Sequence, residues 1–198
     1  MAWHHHPIIA FDTETTGLSP KNGDRVIEFA AVIYHLSHRM EVLEEGYVSH
    51  LFSVGRPLPR LITRITGITD KMLVGAPRFE EHAAEIHRLL GTGIIVAHNI
   101  GFDKQFLTSE FQRVGLDWPQ PVAEIDTLRL SRASYPGISG HRLSDLATRL
   151  GVRLDGAHRA GADARACGEV FLALARRAAL QSEEPEEVEA WASGRALA

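Results

Sequence analysis

The stretch that decides the fold is Phe11-Asp12-Thr13-Glu14-Thr15-Thr16-Gly17-Leu18, close to the start of the chain. It follows Pro7-Ile8-Ile9-Ala10, a short apolar run that is typical of a buried strand. Because side chains alternate along a strand, Asp12 and Glu14 should share one face, about 6–7 Å apart at the backbone. By itself, such a pair is more often simply solvated at a strand end. On a buried face the two carboxylates would repel each other and resist desolvation, and a bound cation would relieve both costs.

Length and charge predict one folded domain with a short tail. The chain has 198 residues, enough to bury a substantial core. Its formal net charge is −4. Residues 181–198 carry five glutamates against one arginine, which leaves 20 acidic and 20 basic residues in the first 180. We expect residues 1–180 to form the domain and residues 181–198 to be a flexible acidic tail. Without a net basic charge, the domain would hold a nucleic acid locally, by one end.

Cysteine content and hydropathy predict a cytoplasmic location. The chain has one cysteine, Cys167, so no internal disulfide can form, which fits a reducing compartment. No apolar run approaches the ~18 residues of a membrane-spanning helix, and the first residues lack the pattern of a signal peptide. We therefore expect no membrane contact. The run His4-His5-His6 is expected to be an exposed polar lead-in.

The hydrophobic pattern predicts an α/β domain with five strands. After the opening strand, residues 25–35 and 41–52 are rich in β-branched and aromatic residues and predict an antiparallel pair of strands. Short apolar runs at 94–98 and 122–126 predict two more. Helices are predicted at 57–67, 79–90, 99–113 (with Asn99 as N-cap), from 128 to the loop at 135–137, at 142–150 and at 159–180.

Two of these helices place a further carboxylate on an apolar face. Asp103 shares a face with Leu107, given ~100° per residue. Asp163 lies one turn before Cys167, on the apolar stripe of the last helix. Burying carboxylates from three segments is costly unless they share cations. An all-oxygen cluster favours Mg²⁺ or Mn²⁺, and two such ions suit in-line displacement at phosphorus.

One histidine could complete such a site. His158 precedes the last helix in a predicted loop, and an imidazole can accept a proton from water near neutral pH. His98 and His141 lie beside other polar motif residues and are intermediate candidates. The other histidines are expected to be ordinary surface residues, namely His4, His35, His38, His50, His82 and His87.

Three motifs together resemble a known family. They are the opening stretch 11–18, then His98-Asn99-Ile100-Gly101-Phe102-Asp103, and then His158-Arg159-Ala160-Gly161-Ala162-Asp163. In this order they are similar to the three exonuclease motifs of the DEDDh (DnaQ-like) 3′–5′ exonucleases, and the first most resembles the proofreading subunit of bacterial DNA polymerase III. The similarity covers about residues 7–178 and includes connecting signatures at 66–69, 126–127 and 141–146.

The resemblance implies a fold and a set of catalytic roles. The fold would be ribonuclease-H-like, a mixed five-stranded sheet with its first three strands antiparallel, flanked by helices, so that residues 1–180 form an exonuclease domain. Asp12, Glu14 and Asp163 would bind the metal ion that carries the attacking water, with Asp12 bridging to a second ion. Asp103 would complete the acidic metal site, and His158 would be the general base.

The resemblance also implies how a substrate is held. Thr15, Thr16, Gly17 and Leu18 would meet the terminal nucleotide and its 3′-hydroxyl. His98, Asn99 and Phe102 would line the pocket. The partner would be the 3′ end of a single-stranded nucleic acid, DNA in preference to RNA, with a DNA polymerase subunit as a further candidate. The cofactors would be two divalent cations, Mg²⁺ or Mn²⁺, and the products nucleoside 5′-monophosphates.

Three interpretations of function remain open. The leading one is an exonuclease for single-stranded or frayed DNA, in proofreading or in repair. A 3′–5′ exoribonuclease is the nearest alternative, because recognition of the 2′-hydroxyl is a fine detail of a site. A non-catalytic subunit that binds polymerase or nucleic acid is the third, and the retention of all five catalytic residues argues against it. Gly161 departs from the bulky apolar residue that is common in the family, which predicts a looser loop around His158.

Overall fold

A computed structural model of the protein describes residues 5–37, 41–156 and 158–177. Its strands are β1 (Ile8–Thr15), β2 (Val26–Leu36), β3 (Val42–Leu51), β4 (Ile94–Ala97) and β5 (Ala123–Asp126). They form one sheet in the order β3-β2-β1-β4-β5. The first three strands are antiparallel neighbours, and β4 and β5 run parallel to β1. The predicted α/β fold with a mixed five-stranded sheet is therefore confirmed.

Helices cover both faces of this sheet. They are α1 (Arg60–Thr66), α2 (Asp70–Leu73), α3 (Phe79–Leu90), α4 (Ile100–Arg113), α5 (Thr127–Ser134), α6 (Leu143–Leu150) and α7 (Ala160–Arg177). A 3₁₀ turn at Pro20–Asn22 follows β1. The first helix begins at Arg60 rather than at 57, because prolines at 57 and 59 occupy its predicted first turn.

The alternation of side chains along β1 divides the core into two layers. Ile8 and Ala10 pack with Phe171 of α7 on one face of the sheet. Ile9 and Phe11 pack on the other face, with residues of α3 and α4. The next positions along the strand follow the same alternation, so Asp12 and Glu14 face α7. Thr13 faces α4.

Helix α7 lies close against β1 because residue 168 is glycine. A Cβ atom at Gly168 would lie 2.8 Å from the Cβ of Ala10. It would lie closer still, at 2.5 Å, to Cε2 of the Tyr34 ring. Cβ atoms do not approach each other to 2.8 Å without displacement of one of the elements. The glycine therefore allows the helix that carries Asp163 to reach the strand that carries Asp12.

Some sequence predictions fall outside the described residues. These are the surface position of His38, the end of the last helix beyond Arg177, and the tail at 181–198. His5 is exposed, as predicted for the lead-in, whereas His4 is outside the described range. Among the helices of the described segments, none has both the length and the apolar character needed to cross a membrane.

Candidate active site

Three carboxylates meet where β1 ends. Asp12 and Glu14 come from one face of β1, and Asp163 comes from the first turn of α7. Each offers an oxygen that lies within 4.8 Å of the oxygens of the other two. The strand alternation and the helical stripe thus bring the three predicted metal ligands to one place.

The electrostatics of this acidic cluster favour a bound cation. Burial, then the charges of Asp103 and Glu14, raise the pKa of Asp12 well above its usual range. Burial, then Asp163 and Glu28, raise the pKa of Glu14 to about 8. Burial also raises the pKa of Asp163. Since all the donors are carboxylate oxygens, a hard divalent cation fits this cluster and would relieve the repulsion.

Asp103 lies beside the cluster, in the first turn of α4. Its side chain is 3% exposed. One oxygen, Oδ1, accepts hydrogen bonds from the backbone N–H of Thr13 at 3.0 Å and from the Thr13 hydroxyl at 2.7 Å. Burial raises the pKa of Asp103 to about 7, although both Thr13 bonds oppose that shift. Thr13, from the opposite face of β1, therefore fixes the orientation of the fourth acid.

His158 lies at the rim of the acidic cluster. Its backbone is left-handed, with φ of 67°, and its N–H donates to Asp163 Oδ2 at 2.9 Å. Its ring is exposed and lines a cleft of about 480 Å³. The residues that line this cleft are Asp12, His98, Arg142, Leu143, Ser144, Leu154, His158 and Asp163. The backbone of His158 thus orients a carboxylate, and the exposed residue lines the cleft.

An ion pair between buried Glu28 and partly exposed Arg159 was not predicted from the sequence. Glu28 of β2 is 2% exposed and accepts from Arg159 Nε at 3.1 Å and Nη2 at 2.7 Å. It also accepts from the backbone N–H of Ala160 at 3.0 Å. These bonds fasten the start of α7, and with it His158, to the sheet. The available signal was the single acid within the otherwise apolar run 25–35.

Gly161 lies in the same turn of α7. A Cβ atom at this position would meet the hydroxyl of Tyr47, so glycine allows this turn to lie against β3. The looser loop that was expected from this glycine stays a prediction.

The loop after β1 is held by Asp24, a second residue that the sequence analysis missed. The carboxylate of Asp24 accepts from the hydroxyl of Thr16 at 3.1 Å and from the backbone N–H of Ser19 at 3.2 Å. It also fills the space that a side chain at residue 17 would need, which explains Gly17. Leu18, in contrast, is 81% exposed. The loop that follows β1 therefore presents an exposed apolar side chain and is held by internal hydrogen bonds.

The hydroxyl of Thr15 is engaged within the same loop, where it donates to the carbonyl of Gly17 at 2.6 Å. This bond closes the turn that follows β1.

The remaining predicted site residues follow β4. His98 lines the cleft, and its Nδ1 lies 3.0 Å from the hydroxyl of Thr127. Burial lowers the pKa of His98. Asn99 is the N-cap residue of α4, as predicted, but its φ is 65° and its side chain makes no capping bond. Instead its N–H donates to Asp126 Oδ1 at 3.0 Å.

Phe102 and Asn99 lie outside the lining of the cleft. Phe102 packs against Phe106, with ring centroids 5.1 Å apart. Asn99 and His98 both line an adjoining cavity of about 650 Å³. The structure thus brings His98 and His158 to one cleft with Asp12 and Asp163. Asn99 lines the adjoining cavity, and neither Phe102 nor residues 15–18 line the cleft.

Comparison with known proteins agrees with this geometry. The family model RNase_T, described as "Exonuclease", matches residues 9–171. The chain is 38% identical over 186 residues to DNA polymerase III subunit epsilon of Treponema pallidum, covering 91% of this chain and 82% of that protein. It is 37% identical over 170 residues to the 3′-5′ exonuclease DinG of Bacillus subtilis, covering 84% of this chain and 17% of DinG.

A solved exonuclease structure has a similar fold. The zinc-bound form of E. coli ExoI in its ssDNA complex superposes with a TM-score of 0.74 at 25% identity, covering 87% of this chain and 41% of ExoI. The chain thus spans most of the epsilon subunit but less than half of DinG and of ExoI. The family match extends over most of the chain and includes all three motifs. The chain therefore belongs to the exonuclease family and, by its DEDDh motifs, to the DnaQ-like 3′–5′ exonucleases.

Proposed function

We propose that this protein is a two-metal-ion 3′–5′ exonuclease that acts on single-stranded or frayed DNA and releases nucleoside 5′-monophosphates. The observation that carries the proposal is the convergence of Asp12, Glu14 and Asp163 within 4.8 Å of one another, beside a cleft. A binding module gains nothing from such a cluster, because buried acids repel a phosphate backbone unless cations lie between them.

The acidic cluster would hold the cations. Asp12, Glu14 and Asp163 are the ligands in this proposal, and Asp103 completes the site with the oxygen that Thr13 leaves unused. The chemistry that divalent cations supply at such a site is a water of lowered pKa and stabilisation of charge on the phosphoryl oxygens. The oxygen-only donor set supports Mg²⁺ or Mn²⁺ over softer metals.

The imidazole of His158 would act as the general base. It faces the cleft, with its backbone bonded to Asp163. In the proposed reaction it takes a proton from the water whose oxygen attacks the last phosphodiester. The bond from phosphorus to the 3′-oxygen of the penultimate nucleotide breaks, and that oxygen leaves as the new 3′-hydroxyl. The exposed position of the ring allows it to release the proton to solvent after each cycle.

The loop after β1 would hold the 3′ terminus. Leu18, in the loop that follows Glu14 in the chain, is 81% exposed, and an exposed apolar side chain can pack against the face of a terminal base of any kind. Thr15, Thr16 and Gly17 form a turn that is fixed by internal hydrogen bonds. A rigid loop of this kind suits a site that must admit every base in turn.

One feature indicates how a nucleic acid would be held, and a second supports DNA as the substrate. The domain carries no net charge apart from its tail, which suits capture of an end rather than of a long duplex. The relatives include a DNA polymerase III subunit and an exonuclease solved with ssDNA. Proofreading with a polymerase subunit and stand-alone repair are both compatible with a domain of this size.

An assay of polarity and substrate class tests the proposal. With Mg²⁺ or Mn²⁺, a 5′-labelled single strand should shorten progressively, whereas a 3′-labelled strand should release its label at once as a mononucleotide. A matched RNA strand and a mispaired duplex end, run beside the DNA, separate the exoribonuclease and proofreading alternatives. Bound but intact DNA across a full metal titration would favour the non-catalytic subunit and overturn the proposal.

A further inference from the structure

A second cluster of metal-binding side chains lies on the face of the sheet that α3 covers. It consists of His50 near the end of β3 and of His82 and Glu85 on α3. In the sheet register His50 pairs with Phe29, which pairs with Thr13. Paired residues share a face, and Thr13 and Asp12 point to opposite faces. The cluster is therefore separated from the acidic cluster by the thickness of the sheet.

The ligand atoms of this cluster are already close together. They lie within 4.8 Å of one another. His82 Nδ1 is 2.9 Å from Glu85 Oε2, and His50 Nε2 is 3.6 Å from Glu85 Oε1. Ligands at about 2.0–2.2 Å from a tetrahedral zinc ion are ~3.3 Å apart. The two observed separations end on different oxygens of Glu85 and lie on either side of this value. The three side chains are thus within reach of one ion, which rotations of the side chains would have to centre.

An unsatisfied nitrogen points into the cluster. His50 Nε2 is buried and has no hydrogen-bond partner, since 3.6 Å to the Glu85 oxygen is too long for a hydrogen bond. Buried polar atoms are normally paired, and an unpaired one requires an explanation. The ring itself is held in place, with its centroid 4.0 Å from that of His82 and 6.1 Å from that of Phe52. A metal ion would use the free lone pair that the protein leaves unpartnered.

We propose that His50, His82 and Glu85 form a binding site for a transition-metal ion of the Zn²⁺ class, which joins α3 to β3. Two imidazole nitrogens and one carboxylate are a ligand set that zinc accepts, in contrast to the oxygen-only acidic cluster. The side chain of Glu85 is 48% exposed, so the fourth position faces solvent and water can fill it. His82 and Glu85 are three residues apart on one helix face, which keeps two of the ligands in fixed relation.

The test is calorimetric titration of the full chain with Zn²⁺ in excess Mg²⁺, together with the visible spectrum of Co²⁺ as a substitute. We expect one Zn²⁺ per chain that raises the melting temperature, and a Co²⁺ spectrum of a tetrahedral nitrogen–oxygen site. His50→Gln and His82→Gln should weaken Zn²⁺ binding by at least about 100-fold. His35→Gln, at an exposed position of β2, is the matched control and should bind as the wild type does.

Other variants locate the ion. Asp163→Asn, which disrupts the acidic cluster, should keep the zinc site. Loss of Zn²⁺ binding in Asp163→Asn but not in His50→Gln would assign the ion to the acidic cluster and overturn the proposal. Unchanged Zn²⁺ binding in all variants would assign the ion to another part of the chain, such as His4-His5-His6, and would overturn the proposal. The absence of Zn²⁺ binding by the wild type would overturn it as well. If circular dichroism shows that His50→Gln does not fold, Glu85→Gln replaces it, because residue 85 is half-exposed on its helix. Its Zn²⁺ affinity is then compared with that of Asp163→Asn.

Discussion

Glu14 is the carboxylate whose protonation should make the metal-free protein sensitive to pH. Burial, with the charges of Asp163 and Glu28, raises its pKa from 4.5 to about 8, and burial raises that of Asp103 to about 7. A raised pKa means that the folded state binds the proton more tightly than the unfolded state does. This contribution to stability is complete below the unfolded value and is lost as pH rises through the folded value. In EDTA, the free energy of unfolding should therefore fall between about pH 5 and about pH 8.

Urea unfolding across this pH range measures the effect. Glu14→Gln cannot ionise, so its unfolding free energy should fall less steeply than that of the wild type. Asp117→Asn, at an exposed acid after α4, should follow the wild type. Mg²⁺ should restore stability at the upper end of the range. A midpoint that rises with pH in EDTA would contradict the repulsion described for the acidic cluster.

His158 provides a second prediction at the level of a single side chain. Its exposed ring faces the cleft, while its contact with Asp163 is made by the backbone. His158→Gln should therefore lower the rate of cleavage by about 10²–10⁴-fold, the usual contribution of general acid–base catalysis, and leave metal affinity nearly unchanged. Single-turnover rates beside isothermal metal titrations separate the two quantities. A rate equal to that of His35→Gln would dismiss His158 as the base.

Gly168 tests the packing of α7 on the sheet. A Cβ there would lie 2.8 Å from that of Ala10, so Gly168→Ala should destabilise the fold by about 1–3 kcal/mol through overpacking. Gly101→Ala in α4 is the matched control, because its Cβ would meet nothing within 4 Å. That control should gain up to about 1 kcal/mol from helix propensity. Equal unfolding free energies for both variants would show that α7 does not press on β1 as described.

Secondary structure was predictable because local periodicity encodes it. Alternation along residues 8–14 placed Asp12 and Glu14 on one face, and the apolar stripe that begins at Cys167 placed Asp163, one turn earlier, toward the core. These patterns depend only on backbone geometry within one element. That the sheet is mixed, with its first three strands antiparallel, came from the resemblance to a family. The strand order was not predicted, since no local pattern states which strands are neighbours.

The supporting bonds of the site were not predictable in the same way. Thr13 and Asp103 are 90 residues apart in sequence, and Glu28 and Arg159 are 131 apart. No periodicity links such pairs, because they meet only when two elements dock. Asn99 shows the same limit, since its backbone bond to Asp126 overrides its preference for capping a helix with its side chain.

At the scale of the whole molecule, the sheet separates the two proposed metal sites. The oxygen-only cluster of Asp12, Glu14 and Asp163 lies on the face that α7 covers. The proposed nitrogen–oxygen site at His50 and His82 lies on the face that α3 covers. The oxygen-only cluster should prefer hard ions such as Mg²⁺, and the nitrogen–oxygen site should prefer borderline ions such as Zn²⁺. Removal of one metal class should therefore leave the other site intact.

The acidic C-terminal residues give a prediction about the chain as a whole. The family match ends at residue 171, and α7 is described to Arg177. A chain that ends at residue 180 should therefore keep its melting temperature and its rate of cleavage. Calorimetry and a hydrolysis assay on the shortened chain check this. Loss of both would place residues 181–198 within the fold and would overturn the expected domain boundary.

The most direct test of the metal site is hydrolysis of a 5′-labelled single strand during a Mg²⁺ titration, with Asp12→Asn beside Asp117→Asn. Both variants lose one negative charge, but only Asp12 belongs to the acidic cluster. We predict that the wild type and Asp117→Asn shorten the strand from its 3′ end and stop when EDTA is added. Asp12→Asn should be slower by at least about 100-fold at every Mg²⁺ concentration. Equal cleavage by both variants, or cleavage that continues in EDTA, would contradict a metal-dependent site at the end of β1.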